Sequence, residues 1–347
     1  MTSQHQRGPM SMYRTLNPAS GELLREFAIA DDEAVERALA ISAVAFAAWK
    51  HSAFAKRRAL LESVAIILDA EAEKHARTIT EEMGKTLRSA EAEVRKCAST
   101  CRWYAAHAEV FLASERISTP AGDAEVRYQP LGTVLAVMPW NFPFWQAIRF
   151  LAPALMAGNA VLLKPAPSTP ASALALQDIL DRAGAPVGLF QNLFIDNEQV
   201  GRVIADPRVA AVTLTGSERA GEAVGSAAGA ALKPAVLEIG GSDPLIVMPS
   251  ADFDAAVGAA VLARHQNNGQ SCVCAKRILV HQDIYGIGFQ PPIWWREEIR
   301  LWSRTRQVGH AGICQHTHDS RRDIWALSHG QIRGRVPRGG VRAVDPR

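Results

Sequence analysis

A β-rich run that ends just before a proline occupies residues 131–138: Leu131-Gly132-Thr133-Val134-Leu135-Ala136-Val137-Met138. Its length and its branched apolar residues favour a buried strand. Downstream of this run, helical and strand patterns take turns over residues 144–214. Such alternation is typical of a parallel sheet whose two faces are covered by helices. We therefore predict an α/β chain with a doubly wound sheet.

The same patterns predict the individual elements. Apolar residues recur at helical spacing over 34–49, 56–79, 87–112, 144–156 and 171–183. Strands are expected over 125–129, 160–163, 190–195 and 209–214. Ligands of doubly wound sheets bind at the carboxyl ends of the strands, where Lys164, Thr215 and Glu238 are expected.

Composition limits the classes of function. The 347 residues are enough for two domains, and 38 Lys and Arg against 35 Asp and Glu leave a net charge of only +3. This balance argues against a nucleic-acid or membrane partner and favours a small-molecule substrate. The five cysteines, an odd and scattered set, argue against a secreted disulfide framework. Because no signal peptide or membrane-spanning run is found either, we expect a cytoplasmic protein.

Three polar side chains suggest one acyl-transfer site. Cys272 follows Asn267-Asn268-Gly269-Gln270-Ser271, whose small polar residues let a substrate approach, so its thiol is a candidate covalent nucleophile. Glu238 leaves an apolar run at a Gly-Gly break and is a candidate general base. The Asn141 amide, within Pro139-Trp140-Asn141-Phe142-Pro143, could donate a hydrogen bond to a developing oxyanion.

Two further positions have both a functional and a plain structural interpretation. Gly216 and Ser217 follow a predicted strand and open a predicted helix, an arrangement that binds pyrophosphate in some proteins and is an ordinary helix cap in most. Lys164 ends a buried strand, where a lysine is usually only solvated. Their place beside the predicted acyl-transfer site favours the functional interpretation.

The order and spacing of five motifs resemble the aldehyde dehydrogenase superfamily from about Asn17 to about Tyr285. These motifs are Pro139 to Pro143, Lys164-Pro165, Thr215-Gly216-Ser217, Leu237 to Gly241 and Asn267 to Cys272. Residues 81–86, 127–132 and 240–244 resemble the succinate-semialdehyde dehydrogenase branch in particular. The resemblance implies a Rossmann-like cofactor domain over 1–238, with an oligomerisation-type strand near 124–132. It also implies an incomplete α/β catalytic domain that begins at 239–285 and carries the nucleophile.

For the reaction, the resemblance implies that the Cys272 thiolate adds to an aldehyde carbon and forms a thiohemiacetal. The Asn141 side-chain amide and the Cys272 backbone N–H hold its oxyanion, and hydride passes to a nicotinamide. Glu238 then deprotonates the water that hydrolyses the thioester. Sulfur suits both steps because it attacks well at neutral pH and leaves well afterward.

The resemblance also implies a dinucleotide site. Lys164 matches a lysine that binds the adenine ribose, and Ser217 matches a residue at the pyrophosphate. Where NAD-preferring members often carry a carboxylate, this chain has Pro167, so NADP is favoured and NAD stays open. The predicted cofactor-binding residues are Trp140, Lys164, Ser168, Gly216 and Ser217.

For the substrate, Arg149 matches an arginine that binds the carboxylate of a semialdehyde, and an ion pair on a helix surface is the alternative. Gln266 stands where the branch often has a second arginine. We expect succinate semialdehyde or a similar small semialdehyde. Cys274 resembles the partner in a redox-sensitive pair with Cys272, and a small apolar strand residue is the alternative.

Beyond Tyr285 the resemblance ends. Over residues 286–347 lysine is absent, and arginine, tryptophan and histidine accumulate without periodicity. We expect an irregular tail that arises from a reading-frame shift near Gly286. The spacing of Cys314, His316 and His318 fits no usual zinc pattern, so no metal is predicted.

Two alternative functions and one assembly state stay open. The chain could be an inactive truncated fragment that only binds dinucleotide, or a thioester hydrolase that uses Cys272 and Glu238 without a hydride acceptor. A homo-oligomer is possible and would use the strand near 124–132, although the missing C-terminal segment would weaken it.

Overall fold

The structure, a computed structural model, describes residues 12–120 and 122–285. They form two compact units, the first ending at Gly240 and the second beginning at Gly241. The predicted irregular tail, with Cys314, His316 and His318, lies outside the described residues. In the described part of the chain, every helix is too short or too polar to cross a membrane.

The elements are as follows. The strands are β1 (Met12–Leu16), β2 (Leu23–Ala28), β3 (Glu115–Thr119), β4 (Gly122–Val126), β5 (Thr133–Val137), β6 (Ala160–Lys164), β7 (Phe190–Asn192), β8 (Val209–Thr215), β9 (Ala235–Glu238), β10 (Asp243–Val247) and β11 (Ala275–Val280). The helices are α1 (Asp32–Trp49), α2 (Phe54–Ala70), α3 (Ala72–Met83), α4 (Leu87–Phe111), α5 (Trp145–Met156), α6 (Pro170–Arg182), α7 (Asn197–Ala205), α8 (Glu218–Ala230), α9 (Phe253–His265) and α10 (Gln282–Tyr285).

The core of the first unit is a five-stranded parallel sheet in the order β7-β6-β5-β8-β9. Alternate residues of its central strands pack into two different apolar clusters. Leu135 and Leu162 belong to one cluster, and Ala136 and Leu163 belong to the other. Because successive side chains of a strand point to opposite faces, both faces of the sheet are buried. The α/β prediction is confirmed.

The strand order creates a switch point. The chain proceeds outward from β5 to β6 and β7, and then returns to place β8 on the other side of β5. In open α/β sheets, the crevice for ligands lies at the carboxyl ends of the two strands that flank such a reversal. The segments that follow β5 and β8 therefore border the expected ligand crevice.

The predicted helix over 56–79 is instead two helices, α2 and α3. Glu71 separates them with φ −110° and ψ 21°. Its carboxylate binds Lys74 and Arg182, and these contacts stabilise the interruption. Sequence reasoning missed this break because Ala70, Glu71 and Ala72 are good helix formers.

Two antiparallel hairpins accompany the sheet. Sequence reasoning missed both strands of the first hairpin and one strand, β3, of the second. β1 pairs with β2, and β3 pairs with β4. The strand predicted at 125–129 ends at Val126, because its partner β3 begins at Glu115, which pairs with Val126. Helix α7 was also missed, although Asp196 and Gln199 form a capping box that signals its start.

The second unit contains a parallel pair, β10 and β11, and helix α9 lies between them in the chain. A short 3₁₀ helix, Gln266–Gly269, follows α9 and precedes Cys272. The Asp252 side chain caps α9 by accepting a hydrogen bond of 2.8 Å from the Ala255 N–H.

Candidate active site

Four predicted site residues of the first unit lie at the carboxyl edge of its sheet. Lys164 and Glu238 are the last residues of β6 and β9, and Gly216 and Ser217 directly follow β8. Carboxyl ends of parallel strands meet at one edge of a sheet, so these side chains share that edge. The predicted strand ends are confirmed here, and the chemical roles of the residues stay predictions.

Asn141 lies on the connection from β5 to α5, which also begins at this edge. The Met138 N–H donates a hydrogen bond of 3.0 Å to the Lys164 carbonyl, so the connection is tied to the end of β6. Asn141 is half-buried, whereas Trp140 is 38% exposed. An exposed aromatic side chain at a ligand crevice is available to contact a cofactor or substrate.

Arg149 reaches across the carboxyl edge from α5. Its Nη2 donates a hydrogen bond of 3.2 Å to the Thr215 hydroxyl, and its Nη1 lies 3.9 Å from the Glu238 Oε2. The side chains of Arg149 and Glu238 are 37% and 57% exposed, so water screens this ion pair and it contributes little to stability. The structure thus brings the predicted substrate arginine close to the predicted base. It also pairs Arg149 with Thr215, a contact that sequence reasoning missed.

Lys164 is buried at the end of β6. Its ammonium nitrogen lies 5.6 Å from the centre of the Tyr13 ring. Burial lowers the pKa of the Lys164 ammonium to about 8, because desolvation outweighs the attraction of Asp196. Sequence reasoning missed Tyr13, which β1 brings against β6. A buried ammonium at a ligand crevice is suited to bind a hydroxyl or a phosphate oxygen.

The connection from β6 to α6 carries Pro167, the position that is predicted to select between the two dinucleotides. The Arg14 N–H of β1 donates a hydrogen bond of 2.9 Å to the Pro167 carbonyl, so β1 supports this connection. Ser168 is exposed and follows Pro167. A carboxylate is absent from both positions, as the sequence shows.

Gly216 and Ser217 have structural roles in addition to any binding role. The Gly216 N–H donates a hydrogen bond of 2.9 Å to the Glu238 carbonyl, which ties the end of β8 to that of β9. The Ser217 hydroxyl accepts one of 3.3 Å from the Ala220 N–H and caps α8. The helix start predicted here is confirmed. The positive end of its dipole faces the carboxyl edge of the sheet.

A groove of about 520 Å³ lies along α8 and the end of β9. Leu237 and Ile239 line it, together with Glu218 and Glu222 from α8. A Cβ atom on Gly221 would lie 2.9 Å from Ile239 Cγ2, so a larger residue there would force the Ile239 side chain to shift. The apolar lining and two carboxylates suit a flat, neutral or cationic group better than a phosphate.

Cys272 lies in the second unit, after a turn with unusual backbone angles. Asn267 and Asn268 have φ of 54° and 56°, and Gly269 has φ of 71°. Left-handed backbone is uncommon at non-glycine residues, and asparagine is among the residues that adopt it most readily. Cys272 is half-buried and is a free cysteine. The approach of Cys272 to Asn141 and Glu238 stays a prediction.

Cys274 has a clear structural role. It is buried, and its thiol lies 3.4 Å from the Gln266 carbonyl, to which it donates a hydrogen bond. Gln266 in turn donates a hydrogen bond of 3.2 Å to the Ser271 hydroxyl. These contacts support the turn that carries Cys272. Within residues 12–120 and 122–285, no cluster of three His, Cys, Asp or Glu side chains could hold a metal ion.

Comparison with known proteins gives consistent matches. The sequence profile of the aldehyde dehydrogenase family matches residues 5–287. The NADP+-dependent succinate-semialdehyde dehydrogenase 1 of Mycobacterium tuberculosis is 54% identical over 278 residues, which are 78% of this chain and 60% of that protein. The corresponding NADP+ enzyme of Mycobacterium avium is 55% identical over 275 residues, 78% of this chain and 58% of that protein.

A solved structure matches at the level of the fold. The crystal structure of succinic semialdehyde dehydrogenase from Streptococcus pyogenes, in complex with NADP+, aligns with a TM-score of 0.77 and 35% identity. The alignment covers 87% of this chain and 64% of that one. This chain therefore spans about 60% of the length of the curated relatives that it matches.

Proposed function

The chain belongs to the aldehyde dehydrogenase family, and we propose that it oxidises a small semialdehyde to the carboxylic acid with NADP+. Succinate semialdehyde is the leading substrate, since the relatives from the two mycobacteria are named for it. The observation that carries the proposal is the common location of Asn141, Lys164 and Glu238 at the carboxyl edge of one parallel sheet. The test is NADPH formation by the chain and by its Cys272→Ala variant.

In the proposed reaction, the Cys272 thiolate attacks the aldehyde carbon and forms a thiohemiacetal. The Asn141 side-chain amide and the Cys272 N–H donate hydrogen bonds to the oxyanion. After oxidation to the thioester, Glu238 takes a proton from the attacking water, and Cys272 leaves as thiolate. The bound dinucleotide supplies the hydride acceptor.

The residues of the first unit fit a dinucleotide. The buried ammonium of Lys164 would bind the ribose or a phosphate attached to it, and the exposed Ser168 hydroxyl would contact the same group. Ser217 and the start of α8 would face the pyrophosphate. Because Pro167 and Ser168 bring no negative charge, a 2′-phosphate meets no repulsion there, which favours NADP+ over NAD+.

We expect the affinity for NADP+ to depend on the charge of Lys164. The folded pKa is about 8, so the ammonium is charged below this pH and loses its proton above it. The dissociation constant should therefore rise by about tenfold between about pH 7 and pH 9, as the positive charge is lost. Titration of intrinsic fluorescence with NADP+ across this range measures the effect.

The control for this prediction is Lys164→Met, which keeps most of the length of the side chain and removes its charge. It should bind NADP+ weakly at every pH and show a flat profile. A rise of equal size in Lys164→Met would mean that another group titrates.

Arg149 is proposed to bind the carboxylate of the semialdehyde. The ion pair between Arg149 and Glu238 is exposed and weak, so a substrate carboxylate can take the place of the Glu238 carboxylate. Arg149→Met should raise KM for succinate semialdehyde by about tenfold or more, since a charge-assisted contact is lost. The KM for propanal, which has no carboxylate, should stay within about twofold. An equal change for both aldehydes would instead assign Arg149 to the support of Glu238.

A second candidate function is dinucleotide binding without turnover. The exposure of β9 favours it, because Val236 is 60% and Leu237 is 40% exposed beside the predicted base. A displacement of about 1 Å at a catalytic group can cost about a hundredfold in rate.

We further propose a cytoplasmic location and a homo-oligomer that uses β3 and β4. The oligomer can be tested by light scattering in solution.

A further inference from the structure

The start of α5 lacks a cap in its own sequence. Phe144 is the capping residue, and its side chain accepts no hydrogen bond. Helix starts normally rely on Ser, Thr, Asp or Asn to satisfy the first N–H groups. Since Asn141 stands only four residues before α5 begins at Trp145, whatever caps this helix also influences where Asn141 is held.

The missing cap comes from α4. Glu93 is buried, and its Oε1 accepts hydrogen bonds of 3.0 Å from the Phe144 N–H and 2.9 Å from the Trp145 N–H. These residues lie 51 and 52 positions later in the chain, so the cap is a tertiary contact. A carboxylate at a helix start also interacts favourably with the positive end of the helix dipole.

Two lysines complete the contact with this segment. The fully buried Lys85 pairs with Glu93 Oε2, and its Nζ lies 4.3 Å from the centre of the Phe142 ring. The Nζ of Lys96 lies 3.7 Å from the centre of the Trp145 ring. Both distances are within the range of cation–π attraction. Residues between Asn141 and the first turn of α5 are therefore contacted by α4 and by Lys85 in the connection that precedes α4.

A buried ion pair lowers stability unless its geometry is good and further hydrogen bonds satisfy its remaining lone pairs and protons. Glu93 satisfies both conditions, since one oxygen pairs with Lys85 and the other accepts two backbone hydrogen bonds. Replacement of such a pair by apolar residues is often neutral for stability, so stability alone does not explain it. The place of the pair in the fold offers an explanation, because Glu93 binds the start of α5 in the segment that carries Asn141.

We propose that Lys85 and Glu93 are positioning residues that hold the segment 139–145, and with it the amide of Asn141, in place. The proposal rests on the proposed role of Asn141 in binding the oxyanion. Neither residue touches substrate or cofactor in this scheme. Their effect on the reaction passes through the start of α5.

Hydrogen exchange, measured by mass spectrometry on the full chain, tests the positioning without any need for activity. In Glu93→Ala, amides in peptides that cover 142–147 should exchange about tenfold faster, the effect expected from the loss of a helix cap. Peptides from α2 and β5 should keep their protection. Glu93→Gln should restore part of the protection, because its amide oxygen can accept the same two bonds whereas its NH2 group replaces the oxygen that pairs with Lys85.

The matched control is Glu91→Ala, which removes an exposed ion pair with Arg95 on the same helix and should exchange like the parent chain. Unchanged exchange over 142–147 in Glu93→Ala would overturn the proposal. A uniform increase over all peptides would also overturn it, because it would assign the pair to global stability.

Kinetics then connect the segment to the reaction. Glu93→Ala should lower kcat by about tenfold or more and leave KM for NADP+ unchanged, because Lys164 and Ser168 are untouched. If Glu93→Ala instead raised KM for NADP+ by the same factor and left kcat unchanged, the result would contradict a role in positioning Asn141. If the parent chain itself forms no NADPH, the proposed function fails, and the exchange experiment still decides whether Glu93 holds the segment.

Discussion

Cys272→Ala is expected to abolish the formation of NADPH from succinate semialdehyde, with a loss of at least about a thousandfold, because the variant has no nucleophile to form the covalent intermediate. Cys272 follows a turn with three left-handed residues, Asn267, Asn268 and Gly269. The measurement is the absorbance of NADPH at saturating NADP+. Binding of NADP+ to the variant should be unchanged, since Lys164 and Ser217 lie in the first unit.

The matched control is Cys274→Ser. Its hydroxyl can still donate to the Gln266 carbonyl, so the turn keeps its support and most of the rate should survive. Loss of activity in both variants alike would mean that the turn, and not the Cys272 thiol, was damaged.

Three measurements together separate the candidate functions: NADPH formation, binding of NADP+ and cofactor-independent release from an aryl ester. Retained binding of NADP+ with no turnover that depends on Cys272 would favour a chain that only binds dinucleotide. Release of product from an aryl ester at full rate without cofactor, and without aldehyde oxidation, would favour the thioester hydrolase. Turnover that depends on both Cys272 and NADP+ supports the dehydrogenase.

Asn141→Ala is expected to lower kcat by about a hundredfold to a thousandfold, the usual cost of one lost donor to an oxyanion. The loss should appear in kcat and not in the dissociation constant of NADP+, because the oxyanion exists only during the reaction. Rapid mixing with excess aldehyde would show that formation of the intermediate at Cys272 is the step that slows.

Two comparison variants sharpen this test. Asn141→Asp should be at least as slow, because a carboxylate repels the oxyanion. Asn197→Ala removes an exposed asparagine at the start of α7 and should leave kcat unchanged. A kcat in Asn141→Ala within about threefold of the parent would contradict the proposed role.

Much of the fold could be predicted from local patterns. The buried runs of β5, β6 and β8, and the polar residues at their ends, follow from apolar periodicity and from glycine and proline positions. The break between α2 and α3 could not be predicted, because Glu71 leaves the helix through contacts with Arg182, 111 residues away. The missed helix α7 is different, since its capping box was present in the sequence.

The candidate site divides in the same way. Arg149 and Glu238 could each be singled out by motif, but their distance of 3.9 Å depends on the order of β5, β8 and β9 in the sheet. The contact of Lys164 with Tyr13 depends on where β1 packs. No periodic signal in a single sequence reports such contacts.

By itself, the sequence determined the α/β class, the location of polar residues at strand ends, and membership in a family of dehydrogenases. Tertiary structure alone decided which of these residues meet, and it added the Lys85 and Glu93 pair at the start of α5. The physical reason is range. Backbone preference and side-chain periodicity act over a few residues, whereas hydrogen bonds and ion pairs between distant residues form only after the strands have been ordered in the sheet.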